Sequence, residues 1–311
     1  MKHFVTALTT ALVLSTPAFA QNSLGPLVDP AGLESALEDR DTLLVLDIRT
    51  PEDFGEGHVQ GAVNAPYGLF RGPADNPGQM KTEAELSQVL SSLGATTERP
   101  TIITYQGSDI TDFGAAARVY WTLKSSGVSQ IAILNGGLNA WTEAGKSLST
   151  ETVEVQPSQI DVTFSDQWLA SAEDVQSVID GGTDALLLDA RPESFWSGEQ
   201  AHPAAARPGT LPQSQYFEHA GWFSGGPAII DAAAAKQLAD EQGFSDADQL
   251  ISFCNTGHWA ATNWFALSEL AGVENVKLFP ESMVGWSNAG YEMANVPGPI
   301  RNLWNQIKGV F

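Results

Sequence analysis

The sequence predicts an α/β protein built from two similar domains in tandem, each a parallel β-sheet with helices on both faces. Apolar runs such as Leu43–Asp47 and Leu186–Asp189 do not alternate with polar residues, which is typical of parallel strands buried on both faces. Segments with helical spacing of apolar residues, such as Ala115–Leu123 and Ala232–Glu241, lie between these runs. Regular alternation of strand and helix indicates a parallel sheet.

The remaining elements follow the same periodicities. Further strands are expected at Ile102–Tyr105, Ile131–Leu134, Leu250–Phe253 and Val276–Phe279. Further helices are expected around Leu86–Leu93 and over Ala260–Leu270, where apolar residues recur every three or four positions. Each half of the chain therefore contains the same succession of strands and helices.

Three segments of the first half return, in the same order, in the second half. "LLVLDIRTPEDF" corresponds to "ALLLDARPESFW", "TIITYQGS" to "LISFCNTG", and "LNGGLNAWTEAG" to "FPESMVGWSNAG". Ordered matches at nearly constant spacing indicate a duplicated domain. We place the first domain at residues 21–146, a polar linker at 147–166 and the second domain at 167–298.

Both ends of the chain carry segments outside these domains. Residues 1–20 combine a basic start at Lys2, an apolar run and the A-x-A site Ala18–Ala20. This order predicts a secretory signal peptide cleaved after Ala20, and hence a periplasmic protein. Residues 299–311 place apolar side chains on one helical stripe, which we expect to pack on the body of the protein.

The charge of the chain excludes several classes of function. The formal net charge is −22, from 15 basic and 37 acidic residues. Such an acidic surface repels nucleic acid and anionic lipid. After the signal peptide no window of apolar residues is long enough to cross a bilayer. An anionic substrate would therefore need a local group of donors that offsets the repulsion from the acidic surface.

Cys254 is the single cysteine of the chain. It stands at the predicted end of the strand Leu250–Phe253, and a short loop containing Gly257 separates it from the next helix. Ligands of open α/β sheets bind beyond the carboxyl ends of strands. A loop that turns its N–H groups inward, followed by the positive end of a helix, favours a thiolate and holds anions. The alternative is a small, buried and inert cysteine.

Two longer motifs carry a resemblance to a known family. "LDIRTPEDFGEGHVQGAVNAPY" and "LDARPESFWSGEQAHPAAARPGTLPQS" are similar to the opening blocks of two-domain rhodaneses, which are sulfurtransferases. The resemblance places Cys254 at the catalytic position and residues 254–259 at the active loop. It also implies that the first domain is catalytically silent, with Gln106 in the cysteine's place.

The resemblance implies transfer of a sulfane sulfur through a Cys254 persulfide, with no metal or organic cofactor. The donor is expected to be a small anion, thiosulfate or 3-mercaptopyruvate, and the acceptor cyanide or a thiol. A periplasmic persulfide carrier or sensor that serves one partner protein stays open as an alternative. The residues assigned to substrate binding are Asn255, Thr256, Gly257, His258, Trp259 and Arg191.

Several of these assignments have two interpretations. His258 either supplies a positive charge at modestly acid pH or is a satisfied polar loop residue. Trp259 either lines the mouth of the pocket or fixes the helix to the sheet. Arg191 either binds the donor or pairs with Asp189 as a structural element. The silent half keeps the same pair, Asp47 and Arg49, which favours the structural role.

Overall fold

The computed structural model describes residues 24–39 and 42–298. The expected signal peptide, residues 1–20, and the expected amphipathic segment, residues 299–311, lie outside the described residues. In the part of the chain that is described, no helix is both long enough and apolar enough to cross a membrane.

The first domain is a five-stranded parallel sheet with helices on both faces. The strands lie in the order β1-β5-β4-β2-β3. They are β1 Leu27–Val28, β2 Leu44–Asp47, β3 Val63–Asn64, β4 Thr101–Thr104 and β5 Ile131–Leu134. The helices are α1 Pro30–Ala36, α2 Pro51–Glu56, α3 Glu83–Ser92, α4 Ile110–Ser125 and α5 Gly137–Glu143, with short 3-10 turns at Leu37–Asp39 and Tyr67–Phe70.

The second domain repeats this plan with four parallel strands in the order β7-β6-β8-β9. They are β6 Leu186–Asp189, β7 Gln215–Tyr216, β8 Leu250–Phe253 and β9 Val276–Leu278. The helices are α6 Ala172–Ile179, α7 Glu193–Trp196, α8 Ala232–Glu241, α9 Trp259–Phe265 and α10 Ser282–Asn288, with 3-10 turns at His219–Trp222 and Phe244–Asp246 and a π-helical turn at Ala266–Leu270. The predicted fold class is confirmed.

Local sequence signals explain where several helices begin. Asp29 caps α1 by accepting a hydrogen bond from a backbone amide of its first turn. Capping boxes formed by Thr82 with Glu85 and by Ser171 with Asp174 start α3 and α6. The predicted linker, 147–166, runs between α5 and α6 without helix or strand, apart from an isolated bridge at Ser149.

The two domains share one hydrophobic core, which lies between the sheets. In this core α4 of the first domain packs on α9 of the second, with the ring of Phe265 5.4 Å from Phe113 and 5.0 Å from Tyr120. Lys124 and Glu269 form an ion pair of 2.7 Å across the same contact. The loop after β8 precedes α9, so this packing brings the first domain against that loop.

Candidate active site

Cys254 is the first residue after β8 and is 1% exposed. Its backbone N–H donates to Ser282 Oγ at 3.0 Å, and its carbonyl accepts from the amide of Met283 at 3.0 Å. Both partners belong to the first turn of α10. The start of α10, the helix that follows the neighbouring strand β9, therefore fixes the backbone at Cys254.

The loop after Cys254 turns its peptide groups in one direction. Within residues 24–39 and 42–298, no backbone amide of Asn255–His258 donates a hydrogen bond. The carbonyls of Thr256 and Gly257 accept hydrogen bonds from arginines of the first domain. In a trans peptide the N–H points away from the C=O, so the amides that follow these carbonyls face the other side. This arrangement is a nest of donors suited to an anion.

Gly257 is the residue that allows the loop its curve. Its φ is +69°, in the region that glycine adopts without strain. A Cβ at this position would lie 2.3 Å from Arg118 Nη1 and 2.5 Å from the carbonyl oxygen of Pro280. Glycine is therefore needed here both for the backbone conformation and for the close approach of the first domain.

Two arginines that the sequence analysis did not identify, Arg71 and Arg118, supply positive charge next to the loop. An anionic substrate needs such a charge in an acidic protein. Arg71 Nη1 donates to the carbonyl of Thr256 at 2.9 Å, and Arg118 Nη1 donates to the carbonyls of Thr256 and Gly257 at 3.4 and 3.3 Å. Burial, helped by Arg71, lowers the pKa of the Arg118 guanidinium. Arg118 sits alone among apolar residues of α4, a signal that could have identified it; Arg71 carried no such signal.

His258 is held by the first domain through both ring nitrogens. Its Nε2 lies 2.8 Å from the carbonyl oxygen of Thr111, which only accepts, so Nε2 carries the proton. Nδ1 then accepts from the hydroxyl of Tyr67 at 3.1 Å. Burial first, and Arg71 second, lower the pKa of His258 to about 4. The lowered pKa argues against a positive charge at modestly acid pH, and the two hydrogen bonds favour the interpretation of a satisfied polar loop residue.

Trp259 begins α9 and forms an aromatic wall with residues of the second domain. Its ring stacks on His219 with centroids 5.1 Å apart and planes 11° apart, and meets Phe195 edge-on at 6.0 Å. These contacts support its packing role at the start of the helix, and the ring stays partly exposed. Its contact with a substrate stays a prediction.

The Asp189–Arg191 pair holds the loop through Asn255. Arg191 Nη2 pairs with Asp189 at 2.6 Å and also donates to the carbonyl of Gly209 at 2.9 Å. Arg191 Nη1 donates to Asn255 Oδ1 at 3.2 Å. Thr210 Oγ1 donates to the Asp189 carboxylate at 2.7 Å. These contacts give Arg191 a structural function, while direct binding of the donor stays a prediction.

The silent half contains the same network, with one correction to the predicted equivalence. Arg49 pairs with Asp47 at 2.8 Å and donates from Nη1 to Gln106 Oε1 at 3.1 Å. Gln106 is therefore the counterpart of Asn255, and assigning it to the cysteine's place was wrong by one residue.

The strand register confirms this shift. Asp47 pairs with Thr104, and Asp189 pairs with Phe253, so the residue after each is equivalent. That residue is Tyr105 in the first domain and Cys254 in the second. A tyrosine is no sulfur nucleophile, so the expected lack of sulfur chemistry in this half stays as a prediction with a different residue behind it.

The described residues contain no group of three or more His, Cys, Asp or Glu side chains arranged to hold a metal ion. A cleft of about 610 Å³ lies between the first domain and residues 151–156, away from Cys254. Cys254 and its loop are thus the place where geometry and residue chemistry coincide.

Comparisons with known proteins agree with this architecture. A thiosulfate sulfurtransferase of Pseudomonas aeruginosa is 27% identical over 263 residues, covering 84% of this chain and 94% of that protein. The sulfur carrier protein TtuD of Thermus thermophilus is 24% identical over 247 residues, covering 76% and 84%. The wild-type structure of EanB shares the fold, with a TM-score of 0.76 at 18% identity over 88% of this chain and 70% of that one.

The family match covers both halves of the chain. Residues 29–144 and 171–289 each match the rhodanese-like domain. With two such domains, a single cysteine at the end of β8 and relatives that are sulfurtransferases, the chain belongs to the rhodanese family and is a sulfurtransferase.

Proposed function

We propose that the protein takes a sulfane sulfur from thiosulfate, holds it as a persulfide on Cys254 and passes it to cyanide or a thiol. The observation that carries the proposal is the loop after Cys254, whose amides have no protein acceptor among the described residues. Such free donors suit both the anionic donor and the charged outer sulfur of a persulfide.

The two half-reactions follow from nucleophilic catalysis. The Cys254 thiolate attacks the outer sulfur of thiosulfate, the S–S bond of the donor breaks, and sulfite leaves with the electron pair. The acceptor then attacks the outer sulfur of the persulfide and returns Cys254 as a thiolate. Because Cys254 is 1% exposed, the persulfide is shielded from bulk solvent between the two steps.

Charge supports an anionic donor at this place. Arg71 and Arg118 hold the loop carbonyls, and Arg191 lies behind Asn255. These cations oppose the formal charge of −22 where the donor must approach. The relatives from Pseudomonas aeruginosa and Azotobacter vinelandii are named thiosulfate sulfurtransferases, which supports thiosulfate as the first donor to try.

The test is to weigh the protein after incubation with thiosulfate or 3-mercaptopyruvate. We expect the wild type to gain the mass of one sulfur atom and the Cys254→Ser variant to gain none. An unchanged mass with both donors would contradict the proposal. If 3-mercaptopyruvate loads a larger fraction of the protein with sulfur than thiosulfate does, 3-mercaptopyruvate is the donor.

A second candidate is a persulfide carrier, favoured by the similarity to the sulfur carrier protein TtuD. Both candidates form the persulfide, and they differ in turnover. Steady production of thiocyanate from thiosulfate and cyanide supports the enzyme. Stable loading without turnover supports a carrier that discharges to one partner protein.

We also propose that this reaction takes place in the periplasm. The support is the order of basic start, apolar run and A-x-A site in residues 1–20. Fractionation of cells that express the full chain tests it, with the mature N-terminus expected at Gln21. Retention of residues 1–20 on a cytoplasmic protein would contradict it.

A further inference from the structure

The stacked rings of His219 and Trp259 each carry a buried polar atom that lacks a hydrogen-bond partner among the described residues. These atoms are His219 Nε2 and Trp259 Nε1. The ring planes are only 11° apart, and ring nitrogens bond within their own plane, so the two atoms cannot satisfy each other. Buried polar atoms are normally paired, so two orphan atoms on stacked rings point to a ligand.

The hydrogen bonds of His219 show which role each of its ring nitrogens has. Nδ1 lies 3.1 Å from the carbonyl oxygen of Ala190, which can only accept, so Nδ1 carries the proton. In the neutral ring Nε2 is then a bare acceptor. Burial lowers the pKa of His219, with the Ala190 carbonyl, Glu218 and Asp109 acting in the opposite direction.

Ala190 fixes this imidazole one strand away from the nucleophile. The amide of Ala190 donates to the carbonyl of Phe253, the residue before Cys254, at 2.9 Å. The carbonyl of Ala190 accepts from both the backbone amide and the Nδ1–H of His219. His219 is 3% exposed, and its stacking partner Trp259 closes the loop that begins at Cys254.

We propose that His219 is the general base of the acceptor half-reaction and that the acceptor is a small thiol bearing a carboxylate or carbonyl group. His219 Nε2 accepts the proton of the thiol, and Trp259 Nε1 donates to the oxygen of the same molecule. The inference rests on the proposed function, since it needs a persulfide on Cys254. A ligand of this class brings one donor and one acceptor, which matches the two orphan atoms.

The step balances without any further reagent. The S–H bond of the thiol breaks, and its proton goes to His219 Nε2. The outer sulfur of the persulfide, which is anionic when thiosulfate is cleaved, takes a proton from solvent, and the sulfur electron pair of the thiol then forms a bond to it. The bond between that sulfur and Cys254 breaks, and its electron pair leaves Cys254 as a thiolate. The product is the protonated persulfide of the acceptor, and the imidazolium then releases its proton to solvent.

The test compares two acceptors on the same persulfide. The full chain is loaded with thiosulfate, and the rate of discharge is measured in single turnover with glutathione and with sulfite dianion, which has no proton to lose. We expect His219→Gln, whose amide can still donate to Ala190, to slow discharge by glutathione on the order of 10²-fold. Discharge by sulfite should stay within about two-fold of wild type, because that reaction needs no base.

Trp259→Phe is the companion variant, since it keeps an aromatic ring for stacking on His219 and removes Nε1 together with the pyrrole part of the indole. We expect it to raise the glutathione concentration at half-maximal rate about ten-fold, the loss of one hydrogen bond to a charged group. Equal slowing with both acceptors in His219→Gln would show a purely structural role and overturn the proposal. An unchanged glutathione rate would overturn it as well.

The proposed function can fail separately. If the wild type gains no sulfur from thiosulfate or 3-mercaptopyruvate, the donor assignment falls, and the persulfide is then installed with inorganic polysulfide. The same comparison of glutathione with sulfite on that persulfide still decides the role of His219.

Discussion

The guanidinium of Arg118 in the first domain donates hydrogen bonds to the carbonyls of Thr256 and Gly257 in the second, at 3.4 and 3.3 Å. The loop that carries Cys254 is therefore held by the domain that lacks a cysteine at the equivalent position. The same guanidinium also donates to the carbonyl of Gly78 at 3.1 Å. Arg118 therefore joins its own helix, α4, to the active loop and to the segment at Gly78. We therefore expect the first domain to contribute to the chemistry by positioning this loop, although its equivalent of Cys254 is Tyr105.

Replacing Arg118 by Met keeps much of the side-chain volume and removes every donor. We expect kcat/KM for thiocyanate formation to fall on the order of 10²-fold, because the loop amides lose their fixed orientation. The carbonyls of Gly78, Thr256 and Gly257 lose a charged donor, which should lower the free energy of unfolding by about 2–4 kcal/mol. Steady-state assays and urea unfolding measure the two effects.

Arg99→Met is the matched control. Arg99 also donates to backbone carbonyls, those of Thr42, Leu43 and Gly94, but within the first domain. Its loss should lower stability and leave kcat/KM within about two-fold of wild type. An equal loss of activity in both variants would contradict a specific role for Arg118.

Gly257→Ala tests the close approach of the loop to the first domain. The new Cβ meets Arg118 Nη1 and Pro280 O at 2.3 and 2.5 Å, so the loop or the arginine must move. We expect loss of most sulfurtransfer and a destabilisation of about 2–4 kcal/mol, the sum of a disfavoured φ and a steric clash. Activity assays and denaturant unfolding check both expectations.

Gly272→Ala separates the two contributions. Gly272 has a φ of +71°, like the +69° of Gly257, but a Cβ there meets nothing within 4 Å. Gly272→Ala should lower the free energy of unfolding by only about 1 kcal/mol, because of its backbone conformation, and should keep its activity. If Gly257→Ala behaved in the same way, the steric argument would be refuted.

The strands and the nucleophile could be predicted from sequence because both depend on local patterns. Leu186–Asp189 and Leu250–Phe253 were predicted with the bounds that the structure shows, since buried parallel strands are continuous apolar runs. Cys254 followed from its place at the end of such a strand. The one-residue error at Gln106 departs from the match of "TIITYQGS" with "LISFCNTG", which, like the strand register, makes Tyr105 the equivalent of Cys254.

What the sequence did not reveal lies between the domains. The contacts of Arg71, Tyr67 and Arg118 with the active loop join residues more than a hundred positions apart, and no periodicity encodes such packing. The charge of His258 could not be decided from sequence either, because a pKa depends on burial and neighbouring cations. Burial and the nearby Arg71 come from tertiary structure alone.

The lowered pKa of His258 predicts a specific dependence of stability on pH. With a native pKa of about 4 against the ordinary 6.5, the unfolded chain binds more protons than the native one between these values. The free energy of unfolding should therefore fall as the pH drops from 6.5 to 4, by up to about 3 kcal/mol from this residue. Above pH 6.5 His258 contributes no slope.

Urea unfolding of wild type and His258→Gln at several pH values measures this contribution. The variant should be less stable at pH 7, since it loses contacts to Tyr67 and Thr111, and should lose less stability than wild type on acidification. His202→Gln is the control, because the pKa of His202 is also lowered but the residue lies outside the loop. Identical slopes in wild type and His258→Gln would refute the assignment.

The duplicated networks at Arg191 and Arg49 allow structure and donor binding to be separated. Arg191→Met and Arg49→Met each leave a buried aspartate, Asp189 or Asp47, without its cation. We expect the domain concerned to lose about 3–5 kcal/mol of stability in each case, the usual effect of breaking a buried pair. Thermal unfolding, followed domain by domain, measures these losses.

Activity then distinguishes the two arginines, because only Arg191 holds Asn255 beside Cys254. If Arg191 acts through Asn255, Arg191→Met lowers kcat on the order of ten-fold and leaves KM for thiosulfate within about three-fold. Asn255→Ala should reproduce that loss of kcat without the loss of stability, and the double variant should be no slower than Arg191→Met, since coupled residues are not additive. A ten-fold or larger rise of KM in Arg191→Met alone would instead make Arg191 a ligand of the donor, because uniform binding appears in KM and not in kcat.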